Sequence, residues 1–77
     1  MQKSIAQLQV GEKGIITDFD SNVIPLKLIE MGCLPGTSVI LLQKAPLGDP
    51  LYLNINDSLL SIRIEMAKDI FIETSQE

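Results

Sequence analysis

LYLNINDSLLSIRI, residues 51–64, is the stretch of sequence that decides the fold. Apolar and polar side chains alternate along it, as in a β-strand that buries one face. Asn56 and Asp57 interrupt the alternation, and both residue types tolerate the positive φ of a two-residue hairpin turn. The sequence therefore predicts an antiparallel hairpin with Tyr52 facing outward. The side chains predicted to face inward are Leu51, Leu53, Ile55, Leu60, Ile62 and Ile64.

Three more strands and one helix are predicted around this hairpin. The strands are residues 15–19, 38–43 and 70–73, and residues 4–14 are a lead-in. A helix of about two turns begins near residues 22–25, because Pro25 is tolerated only in a first turn. Ser21 or Asn22 is its candidate cap. Gly32 is predicted to end the helix, since glycine reaches the left-handed conformation without penalty.

Two further breaks in the pattern separate the strands. Pro35 and Gly36 fit the second and third positions of a type II turn. Residues 65–69 interrupt the last two strands with about one helical turn. Strands at hairpin spacing favour a small barrel, whereas a parallel sheet needs repeated crossover helices. We expect one mainly β domain over residues 1–77, a small, partly open barrel of about five strands with one short inserted helix.

Composition excludes several classes of function. The 77-residue chain has a net charge of −4 and no run of basic residues, which argues against nucleic acid as a partner. The longest apolar run, residues 39–42, is far too short to cross a bilayer, so no direct membrane insertion is expected. Its one cysteine allows no internal disulfide, and no signal peptide is evident, so a cytoplasmic location is expected.

The chemistry of an enzyme or a metal site is missing from the sequence. The chain has no histidine, the usual general base and a common metal ligand. We therefore expect no catalytic residues, no cofactor and no metal ligands. Cys33 is expected to be a small buried hydrophobe. Asp18 and Asp20 are expected to lie in a turn or on the surface, because a calcium loop needs many more oxygen ligands.

KAPLGDPLYL, residues 44–53, is the best candidate for a contact surface. Pro46 and Pro50 fix φ at two points, so the loop loses less entropy on docking than a flexible one. Leu47 at its tip is then presented to a partner, and the outward Tyr52 adds a ring suited to interfaces. The alternative is that Leu47 folds back onto the core and Tyr52 has no binding role.

A second candidate contact lies just after the helix. Met31, Leu34 and Pro35 are apolar residues in and before the predicted turn, and they form either a continuous contact surface or ordinary turn packing. Ile40 and Leu42 are apolar residues on the outward side of their strand, so the sequence also allows a homo-oligomer.

LKLIEMGCLPGTSVILLQKAPLGDPLYLNI, followed by LLSIRIEMAKDIFI, resembles the FeoA family of ferrous-iron transport accessory proteins. The ordered set of motifs, which begins with Leu8, Gln9, Gly11 and Gly14, spans residues 5–73. One departure from the pattern is the Asn56–Asp57 turn, where a glycine is more usual. The resemblance implies an SH3-like barrel in the cytoplasm whose partner is the membrane ferrous-iron transporter FeoB.

The resemblance also leaves an alternative function. The same SH3-like module is similar to the C-terminal domain of iron-dependent repressors, so a ferrous or transition-metal carrier or sensor is the second reading. The absence of histidine makes it the weaker one.

Overall fold

One antiparallel sheet of six strands forms the body of the protein in the computed structural model, which describes residues 2–19, 22 and 24–74. The order of strands in the sheet is β1-β6-β2-β3-β4-β5, so β1 and β5 are its edges. The mainly β architecture is therefore as predicted. The strands are β1 Gln2–Ser4, β2 Lys13–Phe19, β3 Ser38–Lys44, β4 Leu51–Ile55, β5 Ser58–Ile62 and β6 Ile70–Thr74.

The hairpin of β4 and β5 confirms the central prediction. Asn56 and Asp57 have φ values of 53° and 66°, and they join strands in which Ile55 pairs with Ser58. Tyr52 faces outward. Five of the six side chains predicted to face inward are buried; they are Leu51, Leu53, Ile55, Leu60 and Ile62.

Ile64 is the exception, and its predicted inward position is wrong. Its side chain is 37% exposed, and the residue begins a short helix, α2 Ile64–Ala67, instead of continuing β5. The backbone N–H of Ile64 donates to Oδ1 of Asp49 at 3.0 Å, so a carboxylate from a distant loop satisfies a donor at this helix start. This helix is the single turn predicted for residues 65–69.

The N-terminal part contains more structure than the predicted lead-in. Residues 2–4 pair with β6, a 3₁₀ turn covers Ile5–Gln7, and β2 starts at Lys13 rather than Ile15. The described residues therefore form six strands rather than the predicted five. β1 is short and polar, so no apolar alternation predicts it. It forms because it pairs with β6, at the other end of the described chain.

The predicted helix forms, but it is shorter and starts later. This helix, α1, spans Leu26–Glu30, and Pro25 occupies the N-cap position with extended φ and ψ and no side-chain cap. Asn22 is therefore not the cap, and Ser21 lies outside the described residues. Gly32 has a φ of +104°, as predicted for the residue that ends the helix.

The interior is filled by aliphatic side chains from every strand except β1. Cys33 is fully buried among them, as predicted. The described strand pairs contain a β-bulge at Thr17 in β2 and another at Leu42 in β3. No helix in the described part of the chain is long and apolar enough to span a membrane.

Candidate functional site

The loop between β3 and β4 is closed on itself at two points. The N–H of Gly48 donates to the carbonyl of Ala45 at 2.7 Å, and the N–H of Ala45 donates to the carbonyl of Pro50 at 3.1 Å. These bonds and the two prolines leave the loop little conformational freedom. Leu47 lies at its tip with 96% of its surface exposed. The alternative in which Leu47 folds back onto the core is therefore contradicted.

A side chain at the base of the same loop ties it to the body of the protein. Oδ1 of Asp49 accepts the N–H of Ile64 at 3.0 Å, and Oδ2 lies 3.8 Å from Nη1 of Arg63. The loop is thus joined to the end of β5 and the start of α2. The sequence does not predict this role of Asp49. Asp49 and Ile64 are 15 residues apart, and nothing in the sequence around either residue indicates the contact.

Tyr52 lies on the outward face of the sheet, 41% exposed, opposite Gln43 of β3 and Ser61 of β5. It lines a shallow groove of about 380 Å³ together with Leu42 and Leu59, which are 42% and 75% exposed. The bulge in β3 places Leu42 here. An outward Leu59 follows from the alternation of residues 58–62, but that residue is not among the predicted contacts.

Met31, Leu34 and Pro35 lie at the other end of β3. Met31 is the C-cap of α1, and Leu34 opens the predicted turn, in which the N–H of Thr37 donates to the carbonyl of Leu34 at 3.1 Å. Gly36 occupies the third position with a φ of +93°, which confirms a type II turn. Met31 and Leu34 are 37% and 43% exposed, and Pro35 is also exposed.

The five predicted contact residues therefore form two groups rather than one surface. The turn that carries Leu34 directly precedes β3, and the loop that carries Leu47 directly follows it. Seven residues of β3 separate the two, a distance of about 20 Å at 3.3 Å per residue. Tyr52 belongs to the group at the loop. A single small ligand cannot touch both groups, but a protein surface can.

Among the described residues, the side chains that could ligate a metal do not lie close together. Within residues 2–19, 22 and 24–74, no three of the histidine, cysteine, aspartate and glutamate side chains form a group that could hold an ion. Burial raises the pKa of the Cys33 thiol, which disfavours the thiolate that a metal binds. Oδ1 of Asp18 accepts its neighbour's N–H at 2.8 Å, and Asp20 lies outside the described residues.

Comparison with known proteins assigns the fold and the family. The class is a small SH3-like β domain: FeoA of Stenotrophomonas maltophilia, solved in complex with zinc and described as a prokaryotic SH3 domain protein, has the same fold. The TM-score is 0.73 at 24% identity, over 91% of this chain and 88% of that one. The family model of the FeoA domain matches residues 3–74, and the chain belongs to the FeoA family.

Two relatives are more similar in sequence. A FeoA-like protein from Clostridium acetobutylicum is 31% identical, with a TM-score of 0.85 over 99% of this chain and 90% of that one. The Fe(2+) transport protein A/Fe(2+) transporter FeoB fusion protein of Porphyromonas gingivalis is 33% identical over 70 residues. Those residues are 90% of this chain but only 8% of the fusion protein.

Proposed function

We propose that this chain is a cytoplasmic accessory protein of ferrous iron uptake that binds the membrane transporter FeoB through an apolar surface. Its role is to regulate or assemble the transporter, and it carries out no catalysis of its own. The observation that carries the proposal is Leu47, which the closed loop holds almost fully exposed. The fusion of the two proteins in Porphyromonas gingivalis supports FeoB as the partner.

The physical argument for a docking loop is its low entropy cost. An exposed leucine on a flexible segment gains little on binding, because ordering the segment offsets the burial. Here two prolines, two backbone hydrogen bonds and the Asp49 contacts order the loop before it binds. Burying the Leu47 side chain then contributes about 1.5–3 kcal/mol to binding. Tyr52 and its neighbours Leu42 and Leu59 extend the surface along the sheet.

We propose a secondary role for the group at the other end of β3. Met31, Leu34 and Pro35 form a small apolar patch that a large partner contacts at the same time as the loop. Because this patch is about 20 Å from the loop, its contribution is separable by mutation.

Substitution of the loop tip tests the proposal. Leu47→Asp places a charge where burial is required, so we expect the affinity for the cytoplasmic part of FeoB to fall at least about 30-fold, or about 2 kcal/mol. Tyr52→Ala should weaken binding by about tenfold. Isothermal titration calorimetry with the purified cytoplasmic part measures both.

The matched control is Phe71→Ala. Phe71 is also an exposed aromatic residue, at 37%, but it lies on β6, which β2 separates from β3, and outside both contact groups. It should bind with unchanged affinity. All variants should retain the circular dichroism spectrum and unfolding midpoint of the parent. Normal binding by folded Leu47→Asp and Tyr52→Ala would show that the docking surface lies elsewhere.

A further inference from the structure

The two hydrogen bonds within the loop between β3 and β4 fix its shape but not its direction. The N–H of Gly48 donates to the carbonyl of Ala45, and the N–H of Ala45 donates to the carbonyl of Pro50, so both bonds join residues of the loop to one another. A loop closed in this way can still turn as a unit about the strand ends that carry it. A contact between the loop and the body of the protein is therefore needed to hold Leu47 in one direction.

Asp49 provides such a contact at the start of α2. Its Oδ1 accepts the N–H of Ile64, the first residue of α2, at 3.0 Å. The first N–H groups of a helix have no partner within the helix, and a side chain just before the helix often accepts from one of them. Arg63, at the N-cap of α2, makes no such bond. The carboxylate of the loop residue takes its place.

α2 is a firm point of attachment because it packs into the interior. Ala67 is fully buried, and Met66 packs against the core. The N–H groups of Ala67 and Lys68 donate to the carbonyls of Arg63 and Ile64 at 2.9 and 3.0 Å, so Ile64 belongs to the hydrogen-bonded turn of this helix. A loop that is tied to Ile64 is therefore tied to the core.

We propose that Asp49 is the positioning residue of the docking surface, and that it acts by holding the Leu47 tip in the direction that docks rather than by touching the partner. This inference rests on the proposed function. The hydrogen bond to Ile64 carries the effect, because its acceptor is a charged carboxylate at an ordinary hydrogen-bond distance. The contact with Arg63 adds little, because it spans 3.8 Å and the Arg63 side chain is 68% exposed.

Substitutions separate the two contacts of Asp49. Asp49→Ala removes both, Asp49→Asn keeps an acceptor for the Ile64 N–H, and Arg63→Gln removes only the charge pair. All three variants should fold, because an exposed N–H that loses its acceptor can bond to water.

Nuclear magnetic resonance relaxation of the isolated chain measures the order of the loop. The backbone order parameter of Leu47 should fall from about 0.85 in the parent to about 0.6 or below in Asp49→Ala, and it should stay near the parent value in Asp49→Asn and Arg63→Gln. The matched control is Asp18→Ala. Asp18 is also exposed, and its Oδ1 also accepts a backbone N–H, at 2.8 Å, but the donor is Phe19, its neighbour in β2.

Calorimetric titration with the cytoplasmic part of FeoB measures the effect on docking. Asp49→Ala should weaken binding about tenfold, because the partner must then order the loop itself. In a chain that already carries Leu47→Asp, the same substitution should change the affinity by less than about twofold, since the direction of the loop no longer matters. Asp49→Asn and Asp18→Ala should bind within about threefold of the parent.

The outcomes distinguish this inference from the proposed function. Normal binding by Leu47→Asp overturns both. If Leu47→Asp weakens binding and Asp49→Ala does not, the docking surface stands and the role of Asp49 is overturned. An equal loss from Asp49→Ala with and without Leu47→Asp also overturns it, because Asp49 would then touch the partner directly.

Hydrogen exchange of the parent alone provides a check that needs no variant to fold. The N–H of Ile64 should exchange with solvent at least about tenfold more slowly than an unstructured amide, because Asp49 holds it. An unprotected Ile64 N–H overturns the inference.

Discussion

Glu12 joins the N-terminal segment to the barrel. Its Oε2 lies 2.8 Å from Nζ of Lys3, and its Oε1 accepts the N–H of Gln9 at 2.9 Å. The hydrogen bond from Lys3 is the main reason that the pKa of Glu12 lies below its usual range, and the bond from Gln9 adds to it. The ionised form of the Glu12 side chain is therefore more stable in the folded protein than in the unfolded chain.

A pH dependence follows from this lowered pKa. The stability that Glu12 contributes is complete above its unfolded pKa of about 4.3 and is lost as pH falls through the folded value. Glu12→Gln should therefore be less stable than the parent at neutral pH, and the difference should shrink as the solution is acidified below about pH 4. Urea unfolding at a series of pH values measures the difference.

Lys3→Gln is a second variant that tests the same ion pair. It removes the same ion pair from the other side, so its stability difference should shrink over the same pH range. A Glu12→Gln difference that is constant from neutral pH to about pH 3 would contradict the assignment.

The end of α1 depends on a glycine at whose position an added Cβ would be crowded by Asn56. Gly32 has a φ of +104°, and an added Cβ would lie 3.1 Å from Cβ of Asn56 and 3.0 Å from its Nδ2. Gly36 has a similar φ of +93°, but nothing lies within 4 Å of its Cβ position. The two glycines thus share a backbone conformation and differ in their surroundings.

This difference predicts unequal costs for the same substitution. Gly36→Ala should destabilise the protein by about 1 kcal/mol, the cost of a left-handed alanine. Gly32→Ala should cost about 2 kcal/mol or more, because the Asn56 turn must also shift. Urea unfolding of the two variants measures both values, and equal losses would show that the contact with Asn56 is unimportant.

Elements with a local signal could be predicted, and those set by distant pairing could not. The β4–β5 hairpin follows from alternation and from two residues that accept positive φ. β1 has no such signal, and the end of β5 depends on Asp49, which is far away in sequence. α1 starts at Leu26, later than predicted. Pro25 therefore limits where the helix can begin but does not determine its first residue.

The candidate site could be predicted only in part, for the same reason. Tyr52 faces outward because its strand alternates, and Leu47 is exposed because its loop is stiff. The grouping of residues is a property of the whole molecule. Leu34 and Leu47 are similar in sequence context, yet β3 holds them at opposite ends, and Leu42 reaches the Tyr52 groove only through a bulge.

At the scale of the whole molecule, the composition of the chain and the scattered ligand atoms of its described residues predict weak metal binding at most. The chain has no histidine, and its one cysteine is buried. We therefore expect calorimetry of anaerobic Fe²⁺ into the isolated chain to show no saturable binding at micromolar concentration. Cys33→Ser should leave that result unchanged while it lowers stability by about 1–3 kcal/mol. Stoichiometric binding that Cys33→Ser abolishes would instead support the carrier or sensor alternative.

The bulge in β3 adds a residue to the surface of the protein without changing the buried face of the strand. Leu41 pairs with Leu53 and Gln43 pairs with Tyr52, so Leu42 is an extra residue that has no pairing partner on β4. Removing it would leave the remaining pairs in register and the buried face intact. A single codon gained or lost at this position can therefore change the recognition surface of such a domain while its architecture stays the same.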